Sequence, residues 1–378
     1  MKITVIVAEY NPLHNGHIYH IEQAKKFGDP IIVLMSGAFV QRGEPAIFDK
    51  YKRAETAVLN GVDAVFEIPA PFSFAPADKY AFGAFKLIRS INADVRLSFG
   101  SESGDIEKII QTAKILLDEP KEFKDLLKTN LDKGLSFAKA RGNALEKYAE
   151  DNRIDIVDIT KPNNILAVEY AKNNILSDKK CELVTHKRIG EYKGNGENGY
   201  RSASAIRKEI ANGEVVSDVP EETKRLVENT RYVFNDSVYR FSVIRENPQS
   251  ISKIFDVNEG LENRLYECVK NTNSYEEAIS ACVCGRYSES RIRRVMTNVL
   301  LGVDKKAFLS SVDEPPIFNL LSAKKSSTGL FSFIDSKIIT SQSALEKGES
   351  VQARLTAKAQ NYYKIIKENA FDHTIFVD

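Results

Sequence analysis

The chain has 378 residues, and its 53 Lys and Arg residues nearly balance its 52 Asp and Glu residues. Hydrophobic residues make up 43%, which is ordinary for a globular protein and excludes collagen-like, disordered and disulfide-framework classes. No run approaches the roughly 18 apolar residues of a membrane-spanning helix, and the first residues lack the pattern of a signal peptide. The four cysteines form no ligand set. We therefore expect a cytoplasmic protein of two or three domains, with no membrane association.

Short apolar runs alternate with helical patterns through the first two hundred residues. We predict strands at 3–8, 31–35, 64–68, 95–99 and 181–186, and helices at 18–27, 49–60, 75–91 and 202–212. Strands separated by helices favour an α/β fold with a Rossmann-like parallel sheet. Ligands of such sheets bind beyond the carboxyl ends of the strands, so the loops that follow these strands are the expected site.

The pattern changes near Pro220. Residues 221–306 are mostly helical and polar, and residues 307–378 are mixed, with a long helix at 344–369 and a final strand at 374–377. We therefore predict a domain boundary between residues 218 and 219, followed by a mainly helical C-terminal region. Because charge is balanced along the chain, nucleic-acid binding would need a local basic patch.

The densest chemical signal is the segment Asn-Pro-Leu-His-Asn-Gly-His at 11–17, which contains two of the five histidines. It follows the first strand and begins a helix, where free N–H groups and the helix dipole favour phosphate. Gly16 lets phosphate approach the backbone, and His14 and His17 can donate to charge that develops on it. The alternatives are a surface loop with chance histidines, or a metal site that no other ligands complete.

H-x-G-H after a first strand resembles the signature of the nucleotidyltransferase superfamily that includes the class I aminoacyl-tRNA synthetases. A second superfamily signature is a Ser/Thr-rich turn that ends in Arg at a helix start, and here it is similar to Ser-Ala-Ser-Ala-Ile-Arg at 202–207. Ser202 is a natural N-cap, and Ser204 and Arg207 lie one turn apart. Ala203 departs from the second Ser of many members, and the motif alone also fits simple helix capping.

Longer segments resemble the bacterial tRNA(Met) cytidine acetate ligase family. They lie at 35–69, 99–102, 161–170, 186–192 and 286–295, and the similarity runs from residue 1 to about 302. The resemblance implies that ATP activates acetate as acetyl-AMP with release of pyrophosphate. The acetyl group then passes to N4 of the wobble cytidine, position 34, of elongator tRNA(Met). It also implies a nucleotidyltransferase-like catalytic domain at 1–218 and an RNA-binding region at 219–378.

The resemblance also assigns site residues by position. The catalytic residues would be His14, His17, Ser204 and Arg207. The ATP site would add Ser202, Gly100, Asn163 and Arg188 to the stretch Val7, Ala8, Glu9, Tyr10, Asn11, Pro12, Leu13, His14, Asn15, Gly16, His17, Ile18, Tyr19 and His20. Asn163 could instead be a helix N-cap, and Arg188 a solvated surface charge.

Two polar groups of residues are candidates for contact with acetate or RNA. Gln41, Arg42 and Lys50 follow the second strand, on the expected active-site edge. For RNA, the only dense basic cluster of the sequence contains Arg286, Arg291, Arg293 and Arg294, beside the ring of Tyr287; the alternative is a solvated helix face. Lys324 and Lys325 form a weaker candidate.

Two other functions stay open at this point. One is adenylation of a small phosphorylated metabolite, although such enzymes are usually one short domain; the other is a non-catalytic RNA or nucleotide binder. Pyrophosphate chemistry leads us to expect Mg²⁺ with ATP, although no carboxylate ligand can be named. We infer no protein partner.

Overall fold

A computed structural model of the chain describes residues 1–188, 200–258, 260–368 and 371–378. Within these ranges the strands form one eight-stranded sheet in the order β5-β4-β1-β2-β3-β6-β7, and β8 also pairs with β6. The first five strands are parallel, whereas β6 runs antiparallel to β3. The strands are β1 Lys2–Ala8, β2 Ile31–Ser36, β3 Ala64–Ile68, β4 Asp94–Ser101, β5 Glu182–Lys187, β6 Phe318–Lys324, β7 Ile338–Ile339 and β8 Ile375–Val377.

Helices cover the sheet and build the C-terminal part of the chain. The N-terminal helices are α1 Asn15–Lys25, α2 Lys50–Leu59, α3 Ala77–Arg89, α4 Ile106–Asp118, α5 Lys121–Asp132, α6 Phe137–Asn152, α7 Pro162–Leu176 and α8 Ala203–Asn212. The C-terminal helices are α9 Glu221–Glu228, α10 Ser237–Arg245, α11 Pro248–Ile251, α12 Leu261–Lys270, α13 Tyr275–Cys282, α14 Glu289–Leu301, α15 Lys305–Asp313, α16 Gln342–Glu346 and α17 Val351–Lys367. None of the helices in these described ranges has the length and apolar character needed to span a bilayer.

The α/β prediction is confirmed, with all five predicted parallel strands present. The central strands are apolar on both faces because helices cover both. Val5 and Phe66 belong to one core cluster, and Ile6 and Val65, their neighbours along the strands, belong to the other. This alternation follows from the two-residue period of a strand.

The C-terminal segment departs from the prediction in two ways. The single helix predicted at 344–369 is wrong: α16 and α17 are separate, with Gly348 between them, and residue 369 lies outside the described residues. The sequence also did not indicate β6, a buried strand whose partner β3 lies some 250 residues earlier along the chain. The boundary that we predict between 218 and 219 leaves β6, β7 and β8 on its C-terminal side, although they belong to the same sheet as β1–β5.

The loop after β2 connects the sheet to the C-terminal helices. It turns back at Gly43, whose N–H donates to Val40 and whose carbonyl accepts from the Thr297 hydroxyl of α14 at 2.6 Å. Gly43 has φ +81°, and a Cβ built there would lie 2.4 Å from the backbone nitrogen of Arg294. Only glycine therefore allows the loop to pack directly on the α14 backbone.

We expect Gly43→Ala to destabilise the fold more than a matched substitution, Gly213→Ala, does. Gly213 also has a positive φ, +72°, but a Cβ there would meet no atom within 4 Å. Strain alone would cost Gly213→Ala about 1–2 kcal/mol, and overpacking would add about 1–3 kcal/mol at Gly43. Urea unfolding of both variants measures the difference. Equal losses would show that the loop is not fixed by its contact with α14.

Candidate active site

A cleft of about 660 Å³ opens at the carboxyl edge of the parallel strands. The ends of β1, β4 and β5 contribute to its lining, as the switch-point rule for such sheets predicts. The first turns of five helices also reach it, at Gly16 of α1, Ala77 of α3, Asn163 of α7, Ser204 of α8 and Ser290 of α14. Helix N-termini present free N–H groups and a partial positive charge, so the cleft suits an anion of the size of a nucleotide.

His14 and His17 are held by the first turn of α1. His14 is the N-cap, and its Nδ1 accepts from the backbone N–H of Gly16 at 3.1 Å. His17 closes a capping box, since its Nδ1 accepts from the N–H of His14 at 3.3 Å. The two rings stack with centroids 3.8 Å apart. Because both Nδ1 atoms accept, each neutral ring carries its proton on Nε2, and the pair offers two N–H donors.

Both imidazoles are neutral at neutral pH. Burial, followed by the charges of Arg188 and Arg207, lowers the pKa of His14 to about 3. Desolvation and the neighbouring His14 also lower the pKa of His17. The fixed positive charge that acts on His14 therefore comes from Arg188 and Arg207, while the histidines supply oriented neutral donors.

Gly16 is needed for this arrangement. A Cβ at position 16 would lie 2.9 Å from Cε1 of His14 and 3.1 Å from its Nδ1. A side chain there would therefore push the His14 ring from its cap. The glycine of H-x-G-H thus has a packing role besides the open approach to the backbone expected from the sequence.

The second predicted motif begins α8, on the same cleft. Ser202 is confirmed as the N-cap, with its hydroxyl accepting from the N–H of Ala205 at 3.2 Å. Arg207 donates to the hydroxyl of Ser204 at 3.2 Å and to the carbonyl of Asn11 at 3.0 Å. The last bond joins the two motifs, which lie nearly two hundred residues apart along the chain.

A third polar group lies at the ends of β4 and β5. The carboxylate of Glu102 accepts from the side chain of Asn163 at 2.8 Å and from the N–H of Asn164 at 2.7 Å, and so caps α7. Arg188 in turn donates to the side-chain oxygen, Oδ1, of Asn163 at 3.3 Å. A Cβ on Gly100 would lie 3.2 Å from the Arg188 side chain, which explains the close approach at that strand end.

Most of the predicted ATP-site residues line the cleft, and a few support it. The predicted residues outside the lining are Pro12, Leu13, Asn15 and Ile18. Their places are structural: the Leu13 carbonyl accepts from the Thr223 hydroxyl at 3.0 Å, and the Asn15 N–H donates to the carbonyl of Asp218 at 2.8 Å. These contacts fix the histidine turn against the start of the C-terminal region.

The prediction for Lys50 is wrong. We expected it to face acetate or RNA, but it is fully buried and its ammonium lies 2.7 Å from the Glu67 carboxylate. Its charge is used inside the protein, so it is unavailable to a ligand. Gln41 and Arg42 do line the cleft, and the backbone N–H of Gln41 donates to Glu9 at 3.0 Å.

The arginine cluster also differs from the expected solvent-facing patch. Arg286 is exposed but precedes α14, and Tyr287 is buried, so its ring is closed to bases. The other three arginines each contact acidic side chains. Arg291 and Arg294 pair with Asp256 at 3.5 and 3.3 Å. Arg293 pairs with Glu276 at 2.6 Å and Glu289 at 2.8 Å, and both Arg293 and Arg294 line the cleft.

Comparisons with known proteins show the family to which the chain belongs. A family model described as HIGH Nucleotidyl Transferase matches residues 1–375. A tRNA(Met) cytidine acetate ligase of Caldanaerobacter subterraneus is 42% identical over 82% of this chain and 80% of its own. A tRNA(Met) cytidine acetate ligase of Clostridium botulinum is 35% identical over 98% of this chain and 95% of its own. The chain belongs to the tRNA(Met) cytidine acetate ligase family.

Solved structures of the family have the same fold. The crystal structure of Thermotoga maritima TmcAL bound with alpha-thio ATP matches with a TM-score of 0.89 at 30% identity, and both chains are covered completely. The apo form of the same protein matches with a TM-score of 0.90. The expected family and nucleotidyltransferase fold are therefore confirmed, and the family has a member that binds an ATP analogue.

Sequence reasoning missed several residues around the cleft. Arg53 is fully buried behind it, and Tyr80 and Tyr170 contribute to its wall. Arg53 lies within a helix pattern and would be taken for a solvated charge, since arginine is almost never buried unless it is paired. The backbone carbonyls that pair with Arg53 belong to loops that meet it only in the folded chain, so the sequence does not reveal them.

We expect His14→Asn to make stability less sensitive to acid. The unfolded imidazole binds a proton below pH of about 6.5, whereas the folded ring does so only near 3. The unfolded state therefore binds more protons in that window, and this group lowers stability as the pH falls, by about 2 kcal/mol between pH 7 and 5. Asn keeps a capping oxygen but cannot titrate.

The measurement is the free energy of unfolding in urea at pH 7 and pH 5, for both proteins. The wild type should lose about 2 kcal/mol more than His14→Asn over that interval. Equal losses in the two proteins would show that His14 titrates normally in the folded state.

Proposed function

We propose that this chain is an ATP-dependent acetate ligase that acts on elongator tRNA(Met). It would form acetyl-AMP from acetate and ATP, and then acetylate N4 of the wobble cytidine at position 34 to give N4-acetylcytidine. The names of the relatives support the acceptor and the acid, and the observation that carries the chemistry is the convergence of the two motifs on one cleft. His14, His17 and Arg207 all line this cleft, and Arg207 donates to the carbonyl of Asn11, within the histidine motif. We expect the enzyme to act in the cytoplasm.

The first step is nucleotidyl transfer. A carboxylate oxygen of acetate attacks the α-phosphorus, a P–O bond forms, and the bond to the bridging oxygen of pyrophosphate breaks. The Nε2–H groups of His14 and His17 donate to the charge that develops on the α-phosphate oxygens. Ser204, Arg207 and the N-terminus of α8 hold the departing phosphates. Arg188 adds a further fixed positive charge at the edge of the cleft.

We propose that Mg²⁺ enters the site bound to ATP rather than to protein side chains. Among the described residues, no three His, Cys, Asp or Glu side chains come together as a metal site. Mg²⁺ commonly keeps several waters and binds through substrate phosphates rather than in a protein cage. It would therefore reach the cleft on ATP, where it would neutralise phosphate charge.

His17→Asn tests the first step. Loss of the Nε2–H donor should lower acetate-dependent exchange of pyrophosphate into ATP by about 100- to 1000-fold, the usual cost of losing one preorganised donor. His373→Asn is the matched control, since His373 is exposed and does not line the cleft. It should keep wild-type exchange. Equal rates for wild type and His17→Asn would exclude the proposed role.

The complete reaction is tested with the wild type, ATP, Mg²⁺, labelled acetate and unmodified elongator tRNA(Met). Digestion and mass spectrometry should show N4-acetylcytidine that requires ATP. Acetate-dependent release of pyrophosphate without an acetylated base would mean that the acceptor is wrong. Absence of both signals would point to adenylation of a phosphorylated metabolite or to a non-catalytic binder.

A further inference from the structure

A second, smaller cavity of about 150 Å³ adjoins the cleft on the side of the C-terminal helices. We name it the aromatic pocket because three rings line it, those of Tyr232, Phe234 and Tyr275. Three polar side chains line both this pocket and the cleft: Glu44, Arg207 and Arg293. A group held in the aromatic pocket therefore lies next to a ligand in the cleft.

The walls of the pocket combine aromatic rings with a buried ammonium group. Phe234 and Tyr275 stand edge to face with centroids 5.6 Å apart. The ammonium of Lys367 lies 4.4 Å from the centre of the Tyr232 ring, and Lys367 is only 6% exposed. No carboxylate in the described part of the chain comes within ion-pair distance of that ammonium. Burial lowers the pKa of Lys367 to about 8, and its ammonium faces the rings of Tyr232 and Phe234, so the pocket holds a donor for a polar ligand.

The opposite polarity comes from Glu44. Its carboxylate lies 3.7 Å from Arg207 and 3.4 Å from Arg293, at the junction of the two cavities. The pocket thus offers the Glu44 carboxylate at its junction with the cleft, a second carboxylate, Glu276, at its rim, cationic donors beside them, and flat apolar walls. Tyr232 is 39% exposed, and the side chain of Glu276 at the rim is 63% exposed, so the pocket opens to solvent.

These features match the polar edge of cytosine. Cytosine presents a donor at N4 beside two acceptors, N3 and O2, on a flat ring that can stack on aromatic side chains. A carboxylate is the natural partner of the N4 amine, and cations are natural partners of the two acceptors. Uracil would place an acceptor, O4, against the same carboxylate. The volume suits one pyrimidine taken out of its stack.

We propose that the aromatic pocket binds the acceptor cytosine, with Tyr232 as the stacking surface and Glu44 as the partner of the N4 amine. This inference rests on the proposed function. In the transfer step, the N4 lone pair attacks the carbonyl carbon of acetyl-AMP and a C–N bond forms. The C–O bond to AMP breaks, AMP leaves with that electron pair, and one N4 proton passes to the Glu44 carboxylate.

Tyr232→Ala tests the stacking surface. Removal of the ring should lower kcat/KM for tRNA in the transfer step by about 10- to 100-fold, the range that base stacking accounts for. Tyr232→Phe should keep the wild-type kcat/KM, because it retains the aromatic ring on which the base would stack. Phe137→Ala removes an aromatic side chain that is 60% exposed at the start of α6, outside the predicted RNA-binding region, and should leave transfer unchanged.

The first step is measured in the same proteins by acetate-dependent exchange of pyrophosphate into ATP. A selective loss of transfer, with a smaller change in exchange, supports the pocket. Wild-type transfer by Tyr232→Ala, or an equal loss of both steps, would overturn it. A wild-type protein that makes no N4-acetylcytidine would instead refute the proposed function itself, so the two failures are distinguishable.

Glu44→Gln tests the polar partner by binding alone. The probes are an anticodon stem-loop with cytidine at the acceptor position and the same RNA with uridine there. The wild type should bind the cytidine RNA about 10-fold or more tightly, within the range of one base-edge contact. Glu44→Gln should reduce that preference, since its amide can donate to O4 of uracil. An unchanged preference would show that Glu44 does not contact the base.

Discussion

The buried guanidinium of Arg53 is the interaction on which the carboxyl edge of the sheet depends. Its Nε donates to the carbonyl of Phe48 at 3.0 Å, and one Nη donates to the carbonyl of Glu9 at 2.5 Å. The other Nη donates to the carbonyls of Ser36, at 3.1 Å, and Gly37. The ends of β1 and β2 and the loop that enters α2 are thus held by one side chain. A buried charge is tolerable here because its donors meet preorganised carbonyl oxygens.

The C-terminal elements stabilise the same region from the other side. Asn319 of β6 donates to the Glu67 carboxylate at 2.5 Å, which also pairs with Lys50. Gln360 of α17 donates to Asp49, the N-cap of α2, at 2.8 Å. The helix that carries Arg53 is therefore fixed by residues from about 270 to 310 positions later along the chain. Removal of the C-terminal strands and α17 would leave Glu67 and Asp49 buried with fewer partners, which links the far end of the chain to the cleft.

Local signals in the sequence predicted the parts of the site that local chemistry decides. His14, Gly16 and His17 lie within one turn, and the capping of α1 and α8 depends on neighbours at most three residues away. The two motifs and their helix caps could therefore be predicted from the sequence. Lys50 was placed wrongly because its burial depends on Glu67 and on β6, neither of which its own surroundings in the sequence reveal. The paired arginines of α14 and the aromatic pocket depend likewise on contacts between distant segments. The strands β1 to β5 were predictable because buried parallel strands are continuous apolar runs, whereas β6 was hidden in a mixed segment.

The cleft separates fixed charge from neutral donors, and this division has a chemical reason. Arginine keeps its charge at any physiological pH, so Arg188 and Arg207 can attract and hold phosphate without depending on proton supply. Burial, together with these charges, lowers the pKa of His14 and keeps its ring neutral. A neutral imidazole with Nδ1 held by a backbone N–H can only donate from Nε2, so its orientation toward charge that develops in the cleft is set before any ligand arrives. Preorganised donors avoid reorganisation at the moment of reaction. The capping box of α1 is thus both a folding device and the means by which the ligase site obtains its hydrogen-bond donors.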